Sequence, residues 1–524
     1  MSDLFLKVIL VLIPFVPLFA ALWIAITFVF FNNRFEAGES LTTKVSLSAL
    51  GLSLALLLIL DVYALFSLSG STSINLGDWL SSDKYKIGIN FIVDYKSLIM
   101  ATLIALITLL VAKFSVNYLH REAGYQRFFL MLCVFSTAML LISLSGNAVL
   151  TFIGWELAGV SSYLLIAYSW HRPVATKNAT RAFVSNRIGD TGFIFAIVFS
   201  FIWLGTVNWL DMPLMGASKL HIGIIVLGLM TAAFAKSAQF PFSGWISRAL
   251  EGPTPSSAVF YGAIMIHAGV FLLIRLEPLL ILVPSLMVVI MLVGGITVVY
   301  AYLIGLVQTD VKSAFLFSTL AQVGLMMVWI GLGWFDLALG HIVVHAIWRT
   351  YQFLHAPSYM QHVQQSAKPV PNWLRRQTWL YTAALQRFWL DGVTDWLLTK
   401  PTRLMAKEII VFDEQVVDRI IGTSSDENKV TSLARWEAQQ QGKFNVKDGI
   451  GTASGMLGRT MELLASALHF FEERLILKGS GDGLLKAVNY LGKHLEVIDR
   501  LFTQPRYVIV LIMATFVVVL KGAS

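Results

Sequence analysis

TAAFAKSAQFPFSGWISRALEGPTPSSAVFYGAIMIHAGVFLLIRL, residues 231–276, decides how the rest of this chain reads. An apolar run carries one lysine, Lys236, and breaks at Pro241; a short polar link with Pro253 and Pro255 leads into a second apolar run that holds His267. A lysine at the centre of a membrane helix costs roughly 3 kcal/mol on insertion scales, so it persists only with a partner or a watery cavity. A proline that frees a backbone carbonyl at that depth has the same requirement. A titratable amine, a helix break and an imidazole in one segment suit the handling of protons or cations. The competing reading is a lysine that snorkels from a helix end to the interface.

Composition sets the class. Of 524 residues, 56% are hydrophobic and 13% charged, with a mean hydropathy of +0.71, whereas soluble domains carry about 25% charged residues. The chain reads as an all-α polytopic membrane protein, with lipids as its surroundings. Its first apolar run, 5–31, is too long for the core of a signal peptide and is expected to stay in the mature protein. The net charge of +8 fits basic cytoplasmic loops better than nucleic-acid binding, because no basic cluster is interleaved with aromatics. The single cysteine, Cys133, excludes an intrachain disulfide, a Cys-based metal site and an iron–sulfur cluster within this chain.

Runs of about 20 apolar residues, the length that spans a bilayer, fall near 5–31, 43–70, 98–118, 127–146, 148–169, 182–204, 219–240, 256–276, 280–305, 313–334, 338–360 and 506–522, about twelve in all. Arg34, Arg121, Arg127, Arg172, Lys177, Arg181, Arg187 and Arg248 follow odd-numbered runs. By the positive-inside rule that side is cytoplasmic, which puts the N-terminus outside. The loop at 71–97 breaks the pattern with Lys84, Lys86 and Lys96, offset by Asp78, Asp83 and Asp94.

Residues 361–504 are different material, holding 18 of the chain's 39 Lys and Arg and 16 of its 31 Asp and Glu. Met405, Ile409, Phe412, Val416 and Ile420 recur at helical spacing, and Met461, Leu464, Leu468, Phe471 and Leu475 form a heptad-like seam. Amphipathic cytoplasmic helices are expected, either packed on the chain's own spans or docking a partner through Leu468 and Phe471. Lys478–Gly483 reads as a flexible link rather than a phosphate loop. The expected domains are N-terminal helices over 1–90, an ion-conducting core over 91–360, the charged region 361–504 and a last span over 505–524.

Four further polar features lie where the membrane should be. Glu156, in an otherwise apolar span, must be paired or protonated, and Lys236 is the partner it points to. Arg187 and Asp190, three residues apart, can form an ion pair on one helix face that serves either as a helix anchor or as a relay element. Asp310 and Lys312 stand before a run containing Ser318, Thr319 and Gln322. His341, His345 and Arg349 step by four and share one helix face, where imidazoles can pass protons. A zinc pair of the His-Glu-x-x-His kind fails because Ile342, Val343 and Val344 lie between the histidines. No metal is expected here.

Lys236-Ser-Ala-Gln-Phe-Pro, Gly252-Pro-Thr-Pro, Gln308-Thr-Asp-Val-Lys312, Ser318-Thr-Leu-Ala-Gln-Val-Gly324, Gly154-Trp-Glu156 and His341-x3-His345 resemble the antiporter-like membrane subunits. That family includes NuoL of respiratory complex I, the large Mrp antiporter subunits and DabB/MpsA of inorganic-carbon transporters. The resemblance covers roughly 90–360 and implies a bundle of two inverted repeats, each with a broken helix. It matches Glu156 and Lys236 to a glutamate–lysine pair, and Lys312, His341 and His345 to a central relay. Three departures stand out. Arg349 replaces a common lysine and holds its proton at accessible pH. Tyr261 replaces a histidine, while His267 appears six residues later. Nothing after 360 matches the remaining spans, so the second repeat reads as truncated.

The short length, the truncated second repeat, Arg349 and the charged cytoplasmic segment favour the DabB-like branch over a NuoL- or Mrp-type subunit, the alternative reading. On that branch the chain itself is no enzyme and binds no cofactor. It conducts protons or sodium along Glu156, Lys236, Lys312, His341 and His345 across a bacterial inner membrane. The ion gradient would drive a large soluble DabA-like partner, zinc-binding and resembling carbonic anhydrase. A metalloenzyme built on the histidine pair is the third possibility, and the missing glutamate disfavours it.

Overall fold

A cap opens most of the spans that matter. The computed structural model describes residues 3–30, 36–67, 70–81, 86–362 and 370–394, with 396, 400, 401, 404 and 405, nearly all within a compact unit covering Met1–Thr399. Two long helices come first, α1 (Asp3–Phe30) and α2 (Glu36–Ser67). Asp94 then accepts from the Ser97 amide at 2.7 Å to open α3 (Tyr95–Tyr118), and α4 (Tyr125–Leu144) follows. Asn147 caps α5 (Ala148–Ile166) through the Leu150 amide at 2.8 Å, Pro173 opens α6 (Pro173–Leu204) and Ser218 caps α7 (Lys219–Lys236). Such caps satisfy amide donors that the first turn of a helix leaves without partners.

The stretch after α7 is discontinuous. A 3₁₀ stretch, Phe242–Glu251, leads to α8 (Thr254–Ser257), a π-helical turn (Ala258–Ala263), a 3₁₀ turn (Met265–His267) and α9 (Ala268–Arg275). The chain continues through α10 (Glu277–Leu280), α11 (Pro284–Gly305), α12 (Val311–Gly331) and α13 (Phe335–His362). Ten stretches among the described residues are long and apolar enough to cross a membrane. They correspond to the first ten expected runs; the eleventh is α13, a 28-residue helix. This is a multi-pass membrane protein.

α4 is the hub: nearly all its side chains are buried, and α1, α2, α3 and α5 pack on it. Two helix pairs approach as closely as backbones allow. A Cβ on Gly192 would sit 2.7 Å from the Gly228 carbonyl oxygen between α6 and α7, and one on Gly294 would sit 2.6 Å from that of Gly324 between α11 and α12. Small residues give membrane helices this contact, where lipid supplies no hydrophobic drive between them.

The loop expected at 71–97 is instead an antiparallel hairpin, β1 (Thr72–Ser81) with β2 (Lys86–Val93). Its second strand docks on the α4–α5 corner, where the Gly146 amide donates to the Asn90 carbonyl at 2.6 Å and Asn147 Nδ2 to the Gly88 carbonyl at 2.7 Å. Extended chain at a bundle end needs such partners for its backbone groups. The Met405–Ile420 stripe beyond Met405, the Met461–Leu475 seam with Leu468 and Phe471, the Lys478–Gly483 link and the span at 506–522 lie outside the described residues.

Candidate functional site

Two polar clusters, each with a buried centre, meet at the break after α7. The first joins α5, α6 and α7. Glu156 accepts from Arg187 Nη1, so the direct Glu156–Lys236 pair expected from sequence is not formed. The reason is rotation: α6 turns Arg187 toward α5. Arg187 Nη2 also stands 2.9 Å from Asp190 Oδ2. Asp190 in turn accepts from Trp155 Nε1 at 2.7 Å.

Lys236, fully buried, donates to the Trp155 carbonyl at 3.0 Å and lies 5.0 Å from the centre of that residue's ring. Among the described residues no carboxylate oxygen lies within 4.0 Å of its amine. Gly159 makes the room: a Cβ there would sit 2.9 Å from Arg187 Nη2 and 3.5 Å from Lys236 Nζ. Trp155 and Gly159 were invisible as site residues in sequence, although Trp155 sits inside the Gly-Trp-Glu motif.

The broken helix end is closed by specific donors. The Gln239 amide bonds the Phe234 carbonyl at 2.8 Å, and Trp245 Nε1 donates to the Ala235 carbonyl at 3.0 Å. Past the break the Phe240 amide donates to Thr297 Oγ1 at 3.0 Å, and Ser237 Oγ donates to the Ile266 carbonyl at 2.6 Å. This last bond ties the residue after Lys236 to the residue before His267. Pro241 lies within the break, and Pro253 and Pro255 frame the start of α8.

The second cluster joins that junction to α12 and α13. The π turn lets the Ile264 amide reach back to the Val259 carbonyl at 2.9 Å. His267 Nδ1 meets the Ala263 carbonyl at 2.6 Å, and its Nε2 meets His345 Nδ1 at 3.1 Å. A carbonyl only accepts, so Nδ1 of His267 carries the proton and its Nε2 accepts from His345 Nδ1. His345 Nε2 is then a bare acceptor, buried without a partner among the described residues.

His341, whose ring centre is 6.1 Å from that of His345, bonds Gln322 Oε1 at 3.0 Å. Arg349 is held by Ser318 Oγ and Gln352 Oε1, each at 2.8 Å, above the Phe315 ring. Buried Tyr261 Oη and Thr319 Oγ1 also lack partners among the described residues. In the described residues no set of three or more His, Cys, Asp or Glu is arranged to hold a metal ion.

Lys312 departs from the expected relay. It is half-buried at the first turn of α12, six residues before Ser318 and hence about 9 Å along the helix from the Arg349 contact. The structure brings together His267, His345, His341 and Arg349, and separately Glu156, Arg187, Asp190 and Lys236.

Residues 145–370 match the family described as NADH:quinone oxidoreductase/Mrp antiporter, TM, and residues 79–129 match NADH-Ubiquinone oxidoreductase (complex I), chain 5 N-terminus. The chain is 35% identical over 362 residues to NAD(P)H-quinone oxidoreductase subunit 5, chloroplastic, of Cichorium intybus, covering 67% of this chain and 48% of that one. Its counterpart from Carthamus tinctorius is 34% identical over 362 residues, with the same shares covered. The chain thus spans about half the length of the curated relatives it matches. Two solved structures share the fold. The Mrp complex from Dietzia sp. DQ12-45-1b gives a TM-score of 0.58 at 24% identity, covering 69% of this chain and 39% of that one. The archaeal membrane-bound sulfane sulfur reductase gives 0.59 at 20% identity, covering 68% and 72%.

Proposed function

We propose that this chain, whose residues 79–129 and 145–370 match the two family descriptions above, belongs to the antiporter-like membrane subunits and moves protons through the membrane within a larger complex. The observation that carries this reading is Lys236: a fully buried amine held by a backbone carbonyl, one residue from the bond that joins α7 to the histidine segment. An amine, unlike a guanidinium, can release its proton and take it back. The path runs from Glu156 and Asp190, which Arg187 holds as a fixed charge, to Lys236, across the Ser237–Ile266 junction, then through His267 and His345 to His341. Nitrogen groups dominate it, which suits protons better than sodium, a hard cation that takes oxygen ligands. Arg349 supplies a fixed charge beside the path. Lys312 serves the end of α12 on the side assigned to the cytoplasm.

Any catalysis then belongs to partner chains. The quinone oxidoreductase or Mrp type of assembly is the better supported setting. A DabA-like zinc partner, with inorganic-carbon transport across a bacterial inner membrane, is the second reading; Arg349 and the mixed charges of 361–504 favour it. The complex, purified with whatever it holds and reconstituted in liposomes under a potassium diffusion potential, should change the signal of an internal pH dye. Lys236→Ala and Lys236→Arg should lower that flux at least tenfold while the chain still inserts. Wild-type flux in both variants refutes the path. Bound quinone-oxidoreductase subunits in the purified complex support the first setting, and a soluble zinc protein supports the second.

A further inference from the structure

One turn at the opposite end of the bundle from Lys312 reaches three elements at once. Asp94 accepts both guanidinium nitrogens of Arg275, the last residue of α9, with Nη2 to Oδ1 at 3.3 Å. The same Nη2 donates to Ser97 Oγ. Lys96 pairs with Glu277 of α10, and Tyr95 Oη donates to Asp336 Oδ1, at the start of α13, at 2.8 Å. The Asp94–Arg275 pair is the buried member, its side chains 4% and 7% exposed. Asp94 also caps α3 and takes a bond from Ser71 Oγ at 3.4 Å.

The lengths measured from this turn agree. His267 precedes Arg275 by eight residues and His345 follows Asp336 by nine, which at 1.5 Å per residue is about 12 and about 14 Å. Both imidazoles therefore hang at the same depth from one anchorage, and they meet there at 3.1 Å. Above His267 the helix is broken by the π turn and by Ile264, whose φ of −120° and ψ of −60° leave the helical range. The height of His267 is therefore set by the Ser237–Ile266 bond on one side and by the Arg275 anchorage at the far end of α9 on the other.

We infer that Asp94 is a positioning residue for the histidine pair: the Asp94–Arg275 bond, with Tyr95 on Asp336, sets the register of α9 against α13 and so the His267–His345 hydrogen bond. Its consequence for proton flux rests on the relay reading above; the register itself does not. A half-turn slip of α9 along its axis amounts to about 2.7 Å, enough to separate rings that hydrogen-bond only within about 3.2 Å.

The test uses the whole purified complex with ¹⁵N-histidine and solid-state NMR, which reads imidazole hydrogen bonding directly, beside flux in liposomes. Asp94→Asn should shift the His267 and His345 ring signals and lower flux at least tenfold, with normal accumulation in the membrane. The exchanged pair Asp94→Arg with Arg275→Asp should restore both, at least partially. If Asp94→Asn fails to accumulate, Tyr95→Phe, which loses only the Asp336 bond, should move the His345 signal. Unmoved ring signals in the accumulating variant overturn the assignment whatever happens to flux. Moved ring signals with unchanged flux keep the assignment and refute the relay reading instead.

Discussion

Gly159→Ala tests the first cluster with one methyl group. The new carbon would lie 2.9 Å from Arg187 Nη2, against a comfortable contact of about 3.5 Å. The guanidinium must therefore retreat by about 0.6 Å, and its 2.9 Å approach to Asp190 stretches to about 3.5 Å. At an effective dielectric of about 20 that change weakens the pair by about 1 kcal/mol. Strain on the bond to Glu156 adds a share of the roughly 1.5–3 kcal/mol that a hydrogen bond to a charged group is worth. The sum, about 1–3 kcal/mol, corresponds to a 5- to 150-fold loss in any step that needs this arrangement. Flux in the reconstituted complex reads it. In an Arg187→Gln background the same methyl should add little, since the group it displaces is gone. Additive losses in the double variant, or wild-type flux in Gly159→Ala, would show that Gly159 is not holding space for the guanidinium.

Three shorter predictions accompany it. Lys236→Met replaces a buried amine by an apolar chain of similar length, so it should raise the melting temperature in detergent while flux disappears; a fall in melting temperature contradicts the picture of a functional group kept at a cost to stability. Ser237→Ala strands the Ile266 carbonyl and should destabilise by about 1–3 kcal/mol in denaturant titration. Burial alone would raise the Asp94 carboxyl, but the Arg275 charge, then bonds from Arg275 and Ser97, hold it below its usual 3.8. A depressed pKa gives stability that is fully present above the unfolded value near 3.9 and is lost as pH falls through the lower folded value. The melting-temperature gap between wild type and Asp94→Asn should therefore hold from pH 7 to about 5 and close in acid below about 4.

Charges inside apolar runs could be read from sequence because each one is costly there, and Lys236, Glu156, His267 and His345 all announced themselves in this way. Their partners could not be read. Whether Glu156 meets Lys236 or Arg187 depends on how α5, α6 and α7 are rotated, and periodicity fixes a helix face without saying which neighbour it turns to. Asp94 and Arg275 give no signal in sequence for the opposite reason: at the ends of apolar runs charged residues are ordinary, and only the fold reveals that these two are buried together. The hairpin at 72–93 is hidden in sequence because its charges of both signs look like a solvated loop. The π turn left no mark in hydropathy, since every residue of Ala258–Ala263 is apolar or small.

That turn also constrains how the gene can change length. A π turn holds one residue more than an α-helix needs for nearly the same rotation, so losing one codon within 258–263 would be absorbed there, with the flanking segments little turned. A codon lost from the regular helix that follows, Ala268–Arg275, has no such slack: the two sides of the deletion would be turned by about 100° and drawn together by about 1.5 Å relative to each other. Tyr261 packs against Trp245 on one side, with ring centres 6.1 Å apart, and Arg275 binds Asp94 on the other. Both anchorages cannot be kept after such a turn, and the segment between them carries His267. A substitution in α9 is a local event, whereas loss of a single codon from it would swing the imidazole out of line with His345.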